Sequence, residues 1–352
     1  MNITFLVGNG FDISAGIDTS YSAFYEWYCN QDSDVKEHVK QFKKEIKEDL
    51  NKPKEIRNWA DFELGLGMYT NKFNQDTLSQ FWDCYEDAML KLHEYIEIQM
   101  RQVSTAISSE EKNKFCKSLL EISDELADAE SADISKMLPG RANQDVRYQF
   151  ISFNYTSILD NFVKAASSQS LASWSIAGKG YSAKVAPKVL HVHGQLNNNP
   201  LMGVGHKLQI ANQNLREAFQ QNLLKSMAAE ALGDLSQEKA KKCIHESDIV
   251  CLWGLSLGET DSQWWETIME WLGEKESNRL IIYWYTGGEV TRRLHTQFLR
   301  EKEKLCNKLF GYSCFTNEQM HEMRKRIYIV FDTKRMLRIS LPKNRKLETA
   351  TI

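Results

Sequence analysis

The sequence predicts an α/β protein: a Rossmann-like, mostly parallel sheet with helices on both faces and a large helical insertion. Two observations lead to this prediction. An apolar run over residues 2–7 passes directly into a glycine-rich segment and then into a helical pattern, the order of elements that a nucleotide-binding fold needs. Later in the chain, short apolar runs alternate with amphipathic stretches, which is typical of parallel strands joined by crossover helices.

The individual elements follow from hydrophobic periodicity. The opening run, NITFLV, is expected to be a buried strand, and the apolar spacing from Tyr21 to Tyr28 predicts a helix that begins near Thr19 or Ser20. Further apolar runs predict strands at 147–153, 172–177, 188–193, 248–254, 279–285 and 326–331. Helical patterns separate most of these strands, at 207–240, 261–273 and 289–308.

The region between the first helix and the second strand has almost no strand pattern. Apolar residues at helical spacing mark three helices in it, one from Val35 to Ile46, one from Phe81 to Ile96 and one from Phe115 to Leu126. We therefore divide the chain into a discontinuous Rossmann-like domain (1–30, 146–206 and 241–335), a helical insertion (31–145), a second helical segment (207–240) and a basic C-terminal tail (336–352).

Composition excludes several classes of protein. The net charge of −3 gives no global attraction to nucleic acid or to an anionic membrane, and the basic residues of 334–346 are interpreted as a solvated end. Seven scattered cysteines without Cys-x-x-Cys spacing argue against a disulfide framework and a structural zinc site, so we expect a reducing cytoplasm and no metal. The start lacks a signal-peptide pattern, and no apolar run reaches the roughly 18 residues of a membrane span.

The first motif with chemical meaning is the glycine-rich loop after the opening strand. Glycine lets a backbone approach a pyrophosphate, and the following helix offers free N–H groups and a positive dipole end. A tight turn without any ligand is the alternative, because the spacing departs from G-x-G-x-x-G. The predicted cofactor contacts are Gly8, Asn9, Gly10, Phe11, Asp12 and Gly16.

The second motif follows the strand at 147–153. Asn154 stands at the strand end and precedes Tyr155 and Thr156, which are expected to contact the same ligand. Asparagine is also a favoured N-cap, and taken alone the motif favours a cap for the next helix.

The third motif, His191-Val192-His193-Gly194, ends another predicted strand. Residues two apart on a strand point the same way, so both imidazoles are expected to face one cleft. A zinc site needs a third protein ligand, and none has a convincing spacing. His193 is the better candidate for a general acid or base.

The fourth motif is the segment Gly254-Leu255-Ser256-Leu257-Gly258 and the residues that follow it. It can be interpreted as a nucleophile elbow, which would make Ser256 the nucleophile of a hydrolase. The favoured interpretation is a loop that holds ribose or phosphate through Gly254 and Ser256, with Asp261 as the cap of the next helix.

All four motifs lie at the carboxyl ends of different predicted strands, where ligands bind in open α/β sheets. They are therefore expected to meet around one pocket. Asp61 and Glu63, in the insertion, are further candidates to reach this pocket, but a solvated helix start is the favoured interpretation.

Five segments together resemble the AbiH abortive-infection family of bacterial antiphage proteins. They are GNGFDISAGIDTSYSAF, WADFELGLG, FISFNYTSILD, HVHGQL and WGLSLGETD, in this order. AbiH proteins are in turn remotely similar to sirtuin-like NAD-binding domains. The resemblance implies an effector that cleaves the nicotinamide–ribose bond of NAD, with Asn154 and His193 as the catalytic pair.

Two departures qualify what the resemblance implies. Thr156 stands where many relatives have Asp, and the four-cysteine zinc module of deacetylating sirtuins is absent from the sequence. A sensor that binds NAD or ADP-ribose without hydrolysing it stays open as an alternative, as does a nuclease or serine hydrolase. The expected partners are a small nucleotide, a phage-derived or host trigger protein and further copies of the chain, whereas nucleic acid and membrane are not expected.

Overall fold

The computed structural model describes residues 1–31, 36–53 and 57–344. Its centre is one seven-stranded sheet in the order β3-β4-β2-β1-β5-β6-β7. The strands are β1 (Asn2–Val7), β2 (Val146–Ser152), β3 (Ala172–Ile176), β4 (Lys179–His191), β5 (Ile249–Trp253), β6 (Arg279–Trp284) and β7 (Ile327–Phe331). All neighbours pair in parallel except the edge pair β3 and β4, so the predicted mostly parallel α/β sheet is confirmed.

Fourteen α-helices occur in the described parts of the chain. They are α1 (Gly10–Ser14), α2 (Tyr21–Tyr28), α3 (Glu37–Leu50), α4 (Phe62–Tyr69), α5 (Leu78–Arg101), α6 (Ser109–Leu120), α7 (Asp128–Ser135), α8 (Ile158–Ser167), α9 (Arg216–Leu223), α10 (Lys225–Ala231), α11 (Ser236–His245), α12 (Ser262–Glu274), α13 (His295–Phe310) and α14 (Asn317–Arg324). None of them has the length and apolar composition that a membrane span requires.

Helices cover both faces of the sheet, as predicted. Side chains alternate along β1, so Ile3, Phe5 and Val7 belong to a core that also includes residues of α1, α6, α7 and α8. Leu6 belongs to a second core, built with α11, α12, α13 and α14. Burial on both faces explains why the strands of this sheet appear in the sequence as nearly continuous apolar runs.

A third core lies in the helical layer and is dominated by aromatic rings. It joins α2, α3, α4 and α5 to the segment from Met202 to Leu223. The residues of 31–145 are thus shared between two cores, because α6 and α7 pack under the sheet instead. Val35, placed in the first predicted helix of the insertion, lies outside the described residues, and α3 begins at Glu37.

The end of the chain differs from the predicted solvated tail. Met336, Leu337, Ile339 and Leu341 are buried in the core beneath the sheet, so the predicted tail is a packed segment as far as Leu341. Residues 345–352, which carry two of its basic side chains, lie outside the described part of the chain.

Candidate functional site

The two glycine loops predicted to hold a ligand pack against each other. The Gly8 amide donates to the Trp253 carbonyl at 2.9 Å, and the Gly10 amide donates to the Gly254 carbonyl at 3.1 Å. A Cβ atom on Gly10 would lie 2.7 Å from the Cα of Gly254, and one on Gly8 only 2.5 Å from its carbonyl oxygen. These glycines therefore let the loops after β1 and β5 cross, and both amides are used within the protein.

Two other members of the first loop do not have the predicted role. Phe11 is fully buried in the core, edge-on to the rings of Phe162 and Trp253, so its side chain cannot contact a ligand. Gly16 has a φ of +96° with open space around it, and it serves as the left-handed turn after α1. The segment from Gly8 to Gly16 was predicted to be a loop, but most of it forms the helix α1.

A small cavity lies at the carboxyl ends of β1 and β2. Its volume is about 100 Å³, and residues of α5 in the helical layer form part of its wall. The lining residues are Asn9, Asp12, Thr19, Tyr21, Leu92, Ile96, Phe153, Asn154, Tyr155 and Thr156. Four predicted cofactor contacts, Asn9, Asp12, Tyr155 and Thr156, and the predicted catalytic Asn154 are thus brought together.

Asp12 is the charged group of this cavity. Its side chain is buried, and the Thr156 hydroxyl lies 2.9 Å from each carboxylate oxygen. Burial raises the pKa of Asp12 to about 7, because the loss of water outweighs the hydrogen bonds that favour the carboxylate. A strongly shifted carboxyl group in a cavity is a candidate functional group.

Asn154 is held from two sides. Its side-chain amide donates to the Gly8 carbonyl at 3.1 Å, and its backbone N–H donates to the Ser152 hydroxyl at 3.1 Å. The next helix, α8, has Ser157 at its N-cap position, so the interpretation of Asn154 as a helix cap is wrong.

The two histidines of the third motif have separate partners. His191 ends β4, with Nδ1 3.1 Å from the Asn154 carbonyl oxygen and Nε2 2.9 Å from Asp160. His193 lies beyond the strand, and its Nε2 is 2.9 Å from Asp261. The His193 ring packs edge-on to Phe153, with centroids 5.2 Å apart, and Phe153 lines the cavity. Neither His191 nor His193 is among the described residues that line the cavity. The prediction that the two imidazoles face one cleft is therefore wrong.

His193 belongs to a buried cluster of four ionisable side chains. The Lys225 ammonium donates to Glu63 at 2.9 Å and to Asp261 at 2.8 Å, and it lies 3.3 Å from Nε2 of His193. Glu63 also accepts the Gly203 amide at 3.1 Å. Lys225 is 1% exposed and Glu63 4%, so the interpretation of Glu63 as part of a solvated helix start is wrong.

The charges in this cluster compensate one another. Burial raises the pKa of Glu63. Burial would also raise the pKa of Asp261, but the positive charge of Lys225 and the hydrogen bonds from Lys225 and His193 outweigh it and hold that pKa well below its usual range. The pKa of Lys225 is raised, because the two carboxylates outweigh the loss of water.

Asp261 occupies the predicted N-cap position of α12, but its side chain makes no capping bond because His193 and Lys225 engage it. Asp61, by contrast, does cap α4 through the Leu64 amide at 3.1 Å. Sequence reasoning missed Lys225, since a single lysine within a helical pattern carries no sign of burial.

Ser256 lacks the surroundings of a nucleophile. It is exposed, and the left-handed backbone that would mark a strained elbow occurs at Leu257, with a φ of +53°. The backbone carbonyl of Ser256 accepts a hydrogen bond from the Lys308 ammonium, and within the described residues no histidine bonds its hydroxyl. The alternative of a Ser256 hydrolase therefore gains no support.

An open groove of about 610 Å³ begins beside the cavity, and Tyr155 lines both. Amide side chains dominate its polar lining, together with one guanidinium group and a carboxylate that lies 3.3 Å from it. These residues are Gln195, Asn197, Asn198, Asn344, Arg101 and Glu97.

Comparison with known proteins gives one family. The family model described as "Bacteriophage abortive infection AbiH" matches residues 4–283, which run from β1 into β6 and include the cavity and the charge cluster. No curated protein matches the chain.

Proposed function

The chain belongs to the AbiH family of bacteriophage abortive infection, and from this premise we propose that it defends the host by binding NAD and hydrolysing its nicotinamide–ribose bond. The observation that carries the proposal is the buried cavity in which Asp12 and Asn154 lie together. The order of the parallel strands also supports it. Counted along the chain without β3, the order is 3-2-1-4-5-6, which is typical of dinucleotide-binding sheets.

The charge of the cavity suits the nicotinamide end of NAD. The nicotinamide ring of NAD is a cation, and cleavage of its bond to ribose passes through an oxocarbenium-like state, as in glycoside hydrolysis. Asp12 supplies a carboxylate where little water screens it. A pyrophosphate at the same place would be repelled, so we assign the cavity to the cationic end of the substrate.

The sizes of the two spaces suit a substrate that extends through both. Pockets for drug-sized ligands typically measure roughly 300–1,000 Å³, so a cavity of about 100 Å³ has room for one small ring and no more. The neighbouring groove of about 610 Å³ is large enough for the remainder of a dinucleotide. Arg101 offers a charge there for a phosphate that displaces its exposed pair with Glu97, and the amides offer donors and acceptors for ribose and adenine.

In the proposed reaction a water oxygen attacks the anomeric carbon of the ribose. The carbon–nitrogen bond breaks, its electron pair neutralises the pyridinium nitrogen, and nicotinamide leaves with ADP-ribose as the other product. Asn154 would orient the ribose or the water, and Asp12 would stabilise the positive charge. His193, which the resemblance makes the base, would take the proton that the water loses once Phe153 moves from between its ring and the cavity.

Release of nicotinamide from NAD tests this function. We expect release by protein purified from phage-infected cells, where any phage-derived or host trigger is present, and a loss of about a hundredfold or more in Asp12→Asn and Asn154→Ala. Asp145→Asn is the matched control, because Asp145 is exposed and bonds Ser182 at the opposite end of β2. Absence of release from the wild-type protein under these conditions would refute hydrolysis.

A second function, a sensor that binds the nucleotide without turnover, is favoured by one observation. His193 is engaged by Asp261 and Lys225 and stands behind Phe153 instead of in the cavity wall. Calorimetry separates the two functions: a sensor would bind NAD, leave it intact over hours, and lose binding in Asn154→Ala.

A further inference from the structure

We infer that Asp261 is a positioning residue for His193: it holds the ring with the proton on Nε2 and leaves Nδ1 as the basic nitrogen. This inference rests on the proposed function for its catalytic meaning. Its structural content, which nitrogen carries the proton, can be measured without any substrate.

The geometry at Nε2 requires a choice between two neighbours. Nε2 lies 2.9 Å from Oδ1 of Asp261 and 3.3 Å from Nζ of Lys225. A single ring nitrogen cannot donate to the carboxylate and accept from the ammonium at once. The shorter contact, between a ring N–H and an ionised carboxylate, is the stronger one, so the proton lies on Nε2.

Lys225 does not need His193 as an acceptor. Its ammonium already donates to Glu63 at 2.9 Å and to Asp261 at 2.8 Å. Asp261 in turn stays ionised beside Lys225, which keeps it an acceptor for the ring. Within the described residues Nδ1 of His193 has no hydrogen-bond partner, so its lone pair is available.

A carboxylate that fixes one imidazole nitrogen and leaves the other free to take a proton is the arrangement of hydrolytic triads. Here the carboxylate comes from the loop after β5 and the histidine from the segment after β4. The same carboxylate oxygen of Asp261, Oδ1, accepts from both Lys225 and His193.

Nitrogen-15 spectroscopy of the histidine rings tests the inference directly. In protein with labelled histidine at pH 8, long-range proton–nitrogen correlations distinguish protonated from unprotonated ring nitrogens, and His193→Gln identifies the signals of His193 among the eight histidines. We expect a protonated Nε2 and an unprotonated Nδ1. The opposite tautomer in the wild-type protein would overturn the inference.

Asp261→Leu removes the acceptor and leaves the Lys225–Glu63 pair charge-balanced. Lys225 then becomes the donor to Nε2, so the proton is expected to move to Nδ1, and an unchanged tautomer would also overturn the inference. If that variant does not fold, the double variant Lys225→Met, Glu63→Gln, which removes one cation and one anion together, gives the second test: the proton should stay on Nε2, and its transfer to Nδ1 would overturn the inference. Asp160→Leu is the matched control, because Asp160 bonds His191 and should alter only that ring.

Activity separates this inference from the proposed function. If NAD is hydrolysed, Asp261→Leu should lower kcat about a hundredfold while KM for NAD changes less than about threefold, since Asp261 acts on the ring and not on the substrate. A rise in KM with unchanged kcat would show a ligand contact instead. If the wild-type protein does not hydrolyse NAD, the proposed function fails, and the tautomer measurement still decides the role of Asp261.

Discussion

Asp12 lies within α1, with the Thr156 hydroxyl as its partner and almost no water around it. From the sequence it was placed in a phosphate loop, because it follows two glycines closely. That prediction could not include the partner, which is 144 residues away.

The stability of the protein should depend on Asp12 in a defined pH window. A pKa raised from 3.8 to about 7 means that ionisation opposes folding, so the cost is absent below about pH 4, grows as the pH rises to 7 and is constant above. At about 1.4 kcal/mol per pKa unit the full cost is roughly 4 kcal/mol. Asp12→Asn should therefore raise the free energy of unfolding at pH 8 by up to that amount and have little effect at pH 4.

Urea unfolding at both pH values measures this difference. Asp145→Asn, at an exposed site, should show no such gain at pH 8. Equal stability of wild type and Asp12→Asn at pH 8 would contradict a buried, ionised Asp12.

The rate of NAD hydrolysis should also depend on the ionisation of Asp12. Ionisation of Asp12 destabilises the fold, but it should raise the rate of hydrolysis. Asp12 is needed as a carboxylate, so kcat/KM should fall as the pH drops below about 7, by about tenfold per pH unit well below that value. A pH–rate profile of the wild-type protein between pH 5 and 8 measures this. A profile that is flat across this range would rule out Asp12 as the charged group of the reaction.

At the scale of elements, most strands could be predicted from the sequence. A strand that contains proline and a helix of five residues could not. Strands of a sheet buried on both faces show as apolar runs, which is why β5, β6 and β7 were found within a few residues. The first part of β4 was missed because it contains Pro187, which the structure accommodates at a register shift opposite β2. The helix α1 was missed because five residues are too few to show a period.

The crossing of the two glycine loops gives a prediction for these elements. A methyl group on Gly10 would meet the backbone of Gly254 at 2.7 Å, so Gly10→Ala must shift one loop and should destabilise the protein by about 1–3 kcal/mol. Gly180→Ala, on β4 with open space around it, should change stability by less than about 0.5 kcal/mol. Urea unfolding of both variants is the measurement, and equal stabilities would mean that the crossing is not tight.

At the scale of the whole molecule, the charge cluster joins four segments that are distant in the chain. Glu63 comes from α4, Lys225 from α10, Asp261 from the turn before α12 and His193 from the segment after β4. Periodicity predicts that a helix has an apolar face, but it does not predict which other segment that face meets. For this reason the third core and the cluster could not be predicted from local patterns.

Removing the single lysine of the cluster should destabilise the whole fold. Lys225→Met leaves two buried carboxylates without their cation, and the expected loss is about 3–5 kcal/mol at pH 7. The loss should shrink toward pH 5 as the carboxylates take up protons, and Glu63→Gln in the same chain should restore part of it. Lys325→Met, which breaks an exposed pair with Glu322, should cost less than about 1 kcal/mol. Thermal or urea unfolding that shows equal losses for the two lysines would contradict a buried cluster.

A structure of the Asp12→Asn variant with NAD bound is the most direct test of the account, because the slowed variant should retain intact substrate. We expect the nicotinamide ring in the cavity beside Asn154 and the rest of the NAD molecule along the groove beyond Tyr155. NAD bound elsewhere on the protein, with this cavity unfilled, would contradict it.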